Sequence, residues 1–201
     1  MQEVERDERR KEFFDRVAEG WEDRNYSPEQ KAKVEKMLAA IGLKAGMTIL
    51  DVGCGQGILL PFIRKITGES AKLIALDASA PMLKSVAEKD RTAWAIHSTA
   101  ENIPLIDEYV DVAICFSAFP HFSDKTAVAR EFFRVLKPGG RAYVLHIDSR
   151  DTINKHHDKH HAVEGDHLPC PNGMRIIFTE AGFSKTDLDD CEEHYYFSAI
   201  K

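Results

Sequence analysis

The stretch Met47-Thr48-Ile49-Leu50-Asp51-Val52-Gly53-Cys54-Gly55-Gln56-Gly57 decides the fold. An apolar run leads into a carboxylate, and every second residue is then a glycine. A buried strand that ends in such a turn brings bare backbone close to a ligand at its carboxyl end. Gly53 and Gly55 suit positions where a side chain would collide with that ligand or force an unfavourable dihedral. Position 58 is Ile, so the dinucleotide pattern G-x-G-x-x-G is incomplete, and no Gly-Lys-Ser/Thr follows for a phosphate loop. Glycines alone are equally compatible with a tight turn that holds nothing.

Outward from this turn, strand and helix patterns alternate. Residues 47–51 read as the first buried strand, 57–66 as a helix with Pro61 in its first turn, and 73–77 as a second strand ending in Asp77. A helix is expected over 82–89 and a third strand over 92–98. The nearly all-apolar run 110–116 fits a strand buried on both faces of a parallel sheet. An amphipathic helix over 124–136 ends at Lys137-Pro138-Gly139-Gly140, and a fifth strand follows over 141–147. A helix over 171–181 stops at Gly182, and 186–200 reads as two more strands. Before the first strand, 3–19 reads as a charged surface helix with Phe13, Phe14 and Val17 on one side. A second helix begins near Pro28 and carries Val34, Met37, Leu38 and Ile41. The expectation is an α/β, Rossmann-like, doubly wound, seven-stranded and mostly parallel sheet with an antiparallel last strand. It forms one domain over 1–201, with an N-terminal helical cap over 1–41. The segment 149–169 is polar, His-rich and aperiodic, and reads as a functional loop or lid.

Composition narrows the class. The 201 residues suffice for one full core, and 43% hydrophobic with 30% charged residues is ordinary for a globular domain. A net charge of −6 argues against nonspecific nucleic-acid binding. No apolar run approaches the length of a membrane span, and the acidic N-terminus has no signal-peptide core. Cys54, Cys115, Cys170 and Cys191 match neither a zinc knuckle nor a disulfide framework, so a reducing cytoplasm is expected. The spacing leaves monomer and homodimer both open.

Asp77 lies 20 residues past Gly57, where a carboxylate can accept both hydroxyls of a ribose. It could instead cap the next helix, a role Ser79 could also take. With Asp51 to Gly57, Leu76 to Leu83, Ala100-Glu101-Asn102-Ile103-Pro104, Phe116 to Phe122 and Arg134 to Gly140 in order, the chain resembles the class I S-adenosylmethionine-dependent methyltransferases. Within these it is similar to the group that includes the ubiquinone/menaquinone methyltransferases. The resemblance spans 47–147 and is specific for the cofactor, weak for the acceptor.

The resemblance implies a cofactor, S-adenosyl-L-methionine, leaving as S-adenosyl-L-homocysteine. It also implies a cofactor-binding set of Asp51, Gly53, Cys54, Gly55, Asp77, Ala78, Ser79, Met82, Ala100, Glu101, Phe116 and Ser117. Gly53 and Gly55 approach the methionyl part, and Asp51 orients groups near its ammonium. Asp77 holds the ribose, Ser79 and Met82 border the adenine, and Ala100 with Glu101 reads its edge. Phe116 and Ser117 mark where the methyl leaves. The stretch 134–140 is a structural turn.

The reaction expected is direct in-line displacement onto a small-molecule acceptor, which needs orientation, exclusion of water and, for a neutral acceptor, a base. His121 is the candidate base, with pocket wall as its other reading. His146 is a second catalytic candidate or else a buried hydrogen-bonded histidine. Phe13, Trp21, Phe119 and His121 are candidate acceptor-binding residues. His156, His160, His161, His167 and Cys170 could hold a divalent metal if the segment is helical, with Asp158, Glu164 and Asp166 as further ligands, or could simply line a solvated lid. A non-catalytic cofactor- or metal-binding partner protein and a macromolecular methyltransferase remain alternatives. The turn Ser117-Ala118-Phe119-Pro120 is not the Asn/Asp-Pro-Pro-Tyr/Phe of amino-methylating nucleic-acid enzymes.

Overall fold

The computed structural model describes residues 2–201, with side chains from Glu5 onward. Helices α1 (Gln2–Val17), α2 (Trp21–Asn25) and α3 (Pro28–Ala40) precede the sheet. Ser27 begins α3 with a reciprocal capping box to Gln30, and Pro28 occupies the first turn, where its missing N–H leaves nothing unsatisfied. The sheet and its crossovers follow as β1 (Thr48–Val52), α4 (Leu60–Thr67), β2 (Lys72–Asp77), α5 (Ala80–Leu83), α6 (Val86–Lys89), β3 (Trp94–His97), β4 (Val110–Phe116), α7 (Lys125–Val135) and β5 (Leu136–His146). Then come α8 (Arg150–His157), α9 (Pro171–Glu180), β6 (Lys185–Cys191) and β7 (His194–Ile200).

The seven strands form one sheet in the order β3-β2-β1-β4-β5-β7-β6. Strands β1 to β5 run parallel, and β7 pairs antiparallel with both β5 and β6. Strand β1 is buried along its whole length and β4 nearly so, because helices cover both faces. One core layer packs Leu50, Leu76, Ala113, Phe132, Phe178 and Phe197 beneath α7 and α9. The other packs Val34, Leu38, Ile49, Ile63, Ile114 and Tyr143 beneath α3 and α4. The order reverses between β1 and β4, which opens a crevice at the carboxyl ends of the strands.

Several element boundaries differ from the sequence reading. The helix expected over 57–66 starts at Leu60, because Gly57 has φ 78° and cannot belong to a right-handed helix. The helix expected over 82–89 is two short ones, α5 and α6. The third strand is shorter than 92–98. Strand β5 begins at Leu136 rather than 141, since Val110 pairs Leu136 while Val112 pairs Arg141. The extra residues bulge, so the 137–140 turn lies inside the strand. The segment 149–169 is not wholly aperiodic: α8 occupies its first part, capped by Ser149.

Candidate functional site

The carboxyl end of β1 places Asp51 at the base of the crevice. It is 2% exposed, and neither carboxylate oxygen has a hydrogen-bond partner. Burial, with Asp77 nearby, pushes its carboxyl up to about 8. Asp77, at the end of β2, accepts from Gly55 N at 2.7 Å and from Ser79 N at 2.8 Å. Burial raises its carboxyl and the nearby Asp15 adds to this, while the two backbone bonds oppose. Ser79, not Asp77, caps α5 by accepting from Met82 N. The glycine turn is thus tied to the second strand by a side chain that reaches across it.

Gly53 has φ 70°, and a Cβ there would lie 2.5 Å from Ala118 Cβ, so the first turn abuts the loop after β4. A Cβ on Gly55 would meet nothing within 4 Å. That turn therefore borders open space beside the buried Asp51 and the half-buried Asp77. Cys54 is buried, and its thiol is pushed well up by burial and by Asp51 and Asp77. Met82 and Ala100 are buried, Ala78 is exposed, and Glu101 is half-buried. Phe116 ends β4 against the Tyr26 ring, with centroids 5.9 Å apart. Ser117 follows with φ 54°, a left-handed conformation rare for a residue with a side chain and one that clusters at functional turns.

The N-terminal helices close over this edge. Glu22 N donates to Gln56 Oε1 at 2.8 Å, which fastens α2 to the glycine turn, and Glu22 pairs with Lys89 and Lys31. Asp15 on α1 has a buried oxygen without a partner. Phe13, Phe14 and Trp21 form an aromatic cluster with centroids 5.3 to 6.4 Å apart. Phe14, rather than Phe13, meets the His121 ring at 5.1 Å.

Asp166 is the hub of this roof. Its side chain is 2% exposed and accepts from Arg10 Nε and Nη2 at 2.8 and 2.7 Å, from Arg6 at 3.0 Å and from His121 Nδ1 at 2.8 Å. Burial alone would raise its carboxyl; the bonds from His121 and Arg10 override this and hold it below the usual carboxylate range. A carboxylate can only accept, so the His121 proton sits on Nδ1 and Nε2 keeps its lone pair. Burial lowers the His121 pKa, although Asp166 opposes, and keeps the ring neutral near pH 7. The His157 ring lies 4.8 Å from it, held by Asp166 O. A polar recess lined by Arg6, Arg10, Ser123, Lys125 and Asp166 opens beside this hub.

Three expectations are corrected. Phe119 is fully buried against Phe178, so it belongs to the core and offers no wall to an acceptor. His146 is 4% exposed with Nε2 unpartnered beside Tyr195, and burial drives its pKa down to about 3, so the neutral ring sits in the core rather than as an open acid–base group. His156, His160, His161, His167 and Cys170 do not converge. The His156 and His160 rings lie 4.3 Å apart at a 41° tilt, His167 bonds Asp158, and Cys170 caps α9. Among the described residues, the one group of three metal-capable side chains is Asp189, Cys191 and His194. Sequence reasoning missed that trio along with Asp15 and Tyr26, and it offered Asp166 only as a further metal ligand, not as the partner of Arg10 and His121. For Asp166 no local pattern existed, since its arginine partners lie about 160 residues away in the chain.

Residues 50–144 match the family described as a methyltransferase domain. The ubiquinone/menaquinone biosynthesis C-methyltransferase UbiE of Vibrio vulnificus is 32% identical over 125 residues, covering 58% of this chain and 48% of the relative. That of Escherichia coli O9:H4 is 34% identical over 110 residues, covering 52% and 44%. The chain spans about half the length of these curated relatives. A SAM-dependent methyltransferase from Aquifex aeolicus superposes with a TM-score of 0.69 at 25% identity, covering 88% of this chain and 99% of that one. The methyltransferase in a complex with the Haloferax volcanii Trm112 methyltransferase activator shares the fold, with a TM-score of 0.74 at 22% identity over 93% and 96%. Over residues 50–144, just under half of its length, the chain is similar to the methyltransferase-domain family, and it shares the fold of solved SAM-dependent methyltransferases.

Proposed function

We propose that this protein transfers a methyl group from S-adenosylmethionine to a small, protic acceptor by in-line displacement. The observation that carries the reading is Asp51: a buried carboxyl with both oxygens unpartnered, beside Asp77 and an open glycine turn. A buried carboxylate without partners is costly unless a cation or donor completes it. An amino-acid ammonium and a ribose, the two polar ends of the cofactor, fit these two acids. The bound cofactor supplies a methyl group on cationic sulfur. The chain supplies the rest. Asp51 takes the ammonium end and Asp77 the ribose hydroxyls. Gly55 lets the backbone come close, and Gly53 lets the turn pack against Ala118. Met82, Ser79, Ala100 and Glu101 border the base, and Phe116 and Ser117 flank the methyl.

His121 is assigned the proton. Its free Nε2 is a neutral acceptor, and Asp166 fixes the tautomer through Nδ1. Phe13, Phe14 and Trp21 give the acceptor an apolar wall and help exclude water. The test is transfer of label from methyl-labelled S-adenosylmethionine to a metabolite extract, with protein and nucleic-acid fractions assayed in parallel. Labelled small molecules are expected. Label confined to macromolecules would overturn the acceptor class, and none in any fraction would overturn the activity.

A further inference from the structure

The β6–β7 hairpin carries chemistry that methyl transfer does not use. Its two strands pair Cys191 directly with His194 across the turn Glu192-Glu193, and Asp189 lies two residues before Cys191 on the same face. Strand alternation and cross-strand pairing therefore bring an acid, a thiol and an imidazole to one side of the hairpin. His194 Nε2 lies 3.7 Å from Cys191 Sγ and 3.0 Å from Asp189 Oδ2. One donor atom from each residue falls within 4.8 Å of the others. Ligands of a tetrahedral zinc ion, with bonds of about 2.0–2.3 Å, stand about 3.4–3.6 Å apart, so little movement would be needed. Asp187, Asp190, Glu192 and Glu193 flank the trio in sequence, and no Lys or Arg lies between 186 and 193. The local field favours a cation.

We propose that Asp189, Cys191 and His194 form a site for a borderline divalent cation of the zinc class, with water completing the shell. A thiolate and an imidazole select such an ion over calcium or magnesium, which take oxygen ligands. Cys191 gives its thiol proton to solvent on binding. The hairpin tip lies beside the end of β5, since His146 pairs Tyr195, and Asp190 accepts from Arg150 N at the start of α8. The ion therefore braces the end of the sheet next to the His-rich segment and is independent of the cofactor reading.

The probe is Co²⁺ added to the full chain, read by its thiolate-to-cobalt absorption, with Zn²⁺ displacing it. One Co²⁺ per chain is expected, with the band lost in Cys191→Ser and affinity at least tenfold weaker in His194→Ala and in Asp189→Ala. The double variant His156→Ala/His160→Ala is expected to bind as the parent does. All these side chains are outside the core, and far-ultraviolet circular dichroism of each variant checks folding. No thiolate band in the parent, or a band that survives Cys191→Ser, would overturn the site. So would a site removed by His156→Ala/His160→Ala.

Discussion

At the residue scale, the account turns on which ionisable groups lie near the crevice and how burial sets their states. The proposed function uses His121 as a neutral base, because its Nδ1–H donates to the Asp166 carboxylate and burial disfavours imidazolium. His121→Ala is expected to slow methyl transfer by roughly 10²-fold or more while leaving affinity for S-adenosylmethionine within a factor of two, since a base acts in the transition state. Turnover and calorimetric affinity measured on the same preparation check this; equal loss of both would make His121 a binding residue. The sequence made Asp51, Gly53, Gly55 and Asp77 readable, because a strand, an acid and a glycine turn lie within a short local window. It misplaced Phe119 because an aromatic residue after a strand looks alike in a pocket wall and in a core. It could not assign His146, whose isolation depends on Tyr195 arriving from the last strand.

At the element scale, α1 is held to the body of the protein by ions as well as by its aromatic face. Arg6 and Arg10 reach Asp166, while Phe14 rests on His121. Removing one partner of a buried ion pair leaves the others uncompensated and costs about 3–5 kcal/mol. Arg6 is more than a third exposed, and screening shrinks its share, so about 3 kcal/mol is expected for Asp166→Ala. The same variant should speed backbone hydrogen exchange in α1 but not in β1 or β4. Exchange mass spectrometry and chemical denaturation read both effects, and unchanged protection of α1 would dismiss the clasp. In sequence, the charges of α1 look like a solvated helix face, and 149–169 looks like a loose lid. Contacts between segments so far apart leave no trace in local periodicity. Helical spacing did locate α3 and α7, whose apolar stripes pack on the sheet. It failed at α5 and α6, where the chain breaks around Lys84 and Ser85.

At the scale of the whole molecule, stability should carry the signature of the buried acids and histidine. The Asp51 pKa is raised in the fold to about 8 from an ordinary value of 3.8. Between these values the folded state binds the extra proton, so the cofactor-free protein loses stability as pH rises through this range. The gain in Tm of Asp51→Asn over the parent is therefore expected to grow from pH 4 to pH 8 and to level off above. Thermal melts across that range check it, and a gap independent of pH would mean Asp51 is ionised throughout. His146, depressed to about 3 from 6.5, acts in the opposite sense. Its contribution is present above pH 6.5 and is lost as pH falls toward 3. The His146→Gln protein should show a flatter acid limb across pH 3 to 6.5, and a limb as steep as the parent's would show that His146 does not drive it. No helix among the described residues is long and apolar enough to cross a membrane. The parallel sheet was legible because β1, β2 and β4 are nearly continuous apolar runs. The bulge that starts β5 early was not, because Lys137-Pro138-Gly139-Gly140 reads as a turn in any context.

The most direct test is calorimetric titration of S-adenosylmethionine into the intact protein and into Asp77→Ala. The account predicts one site per chain in the parent and affinity at least about tenfold weaker in the variant, a difference of about 1.4 kcal/mol. Absence of binding to the parent, or superimposable isotherms for the two proteins, would contradict it.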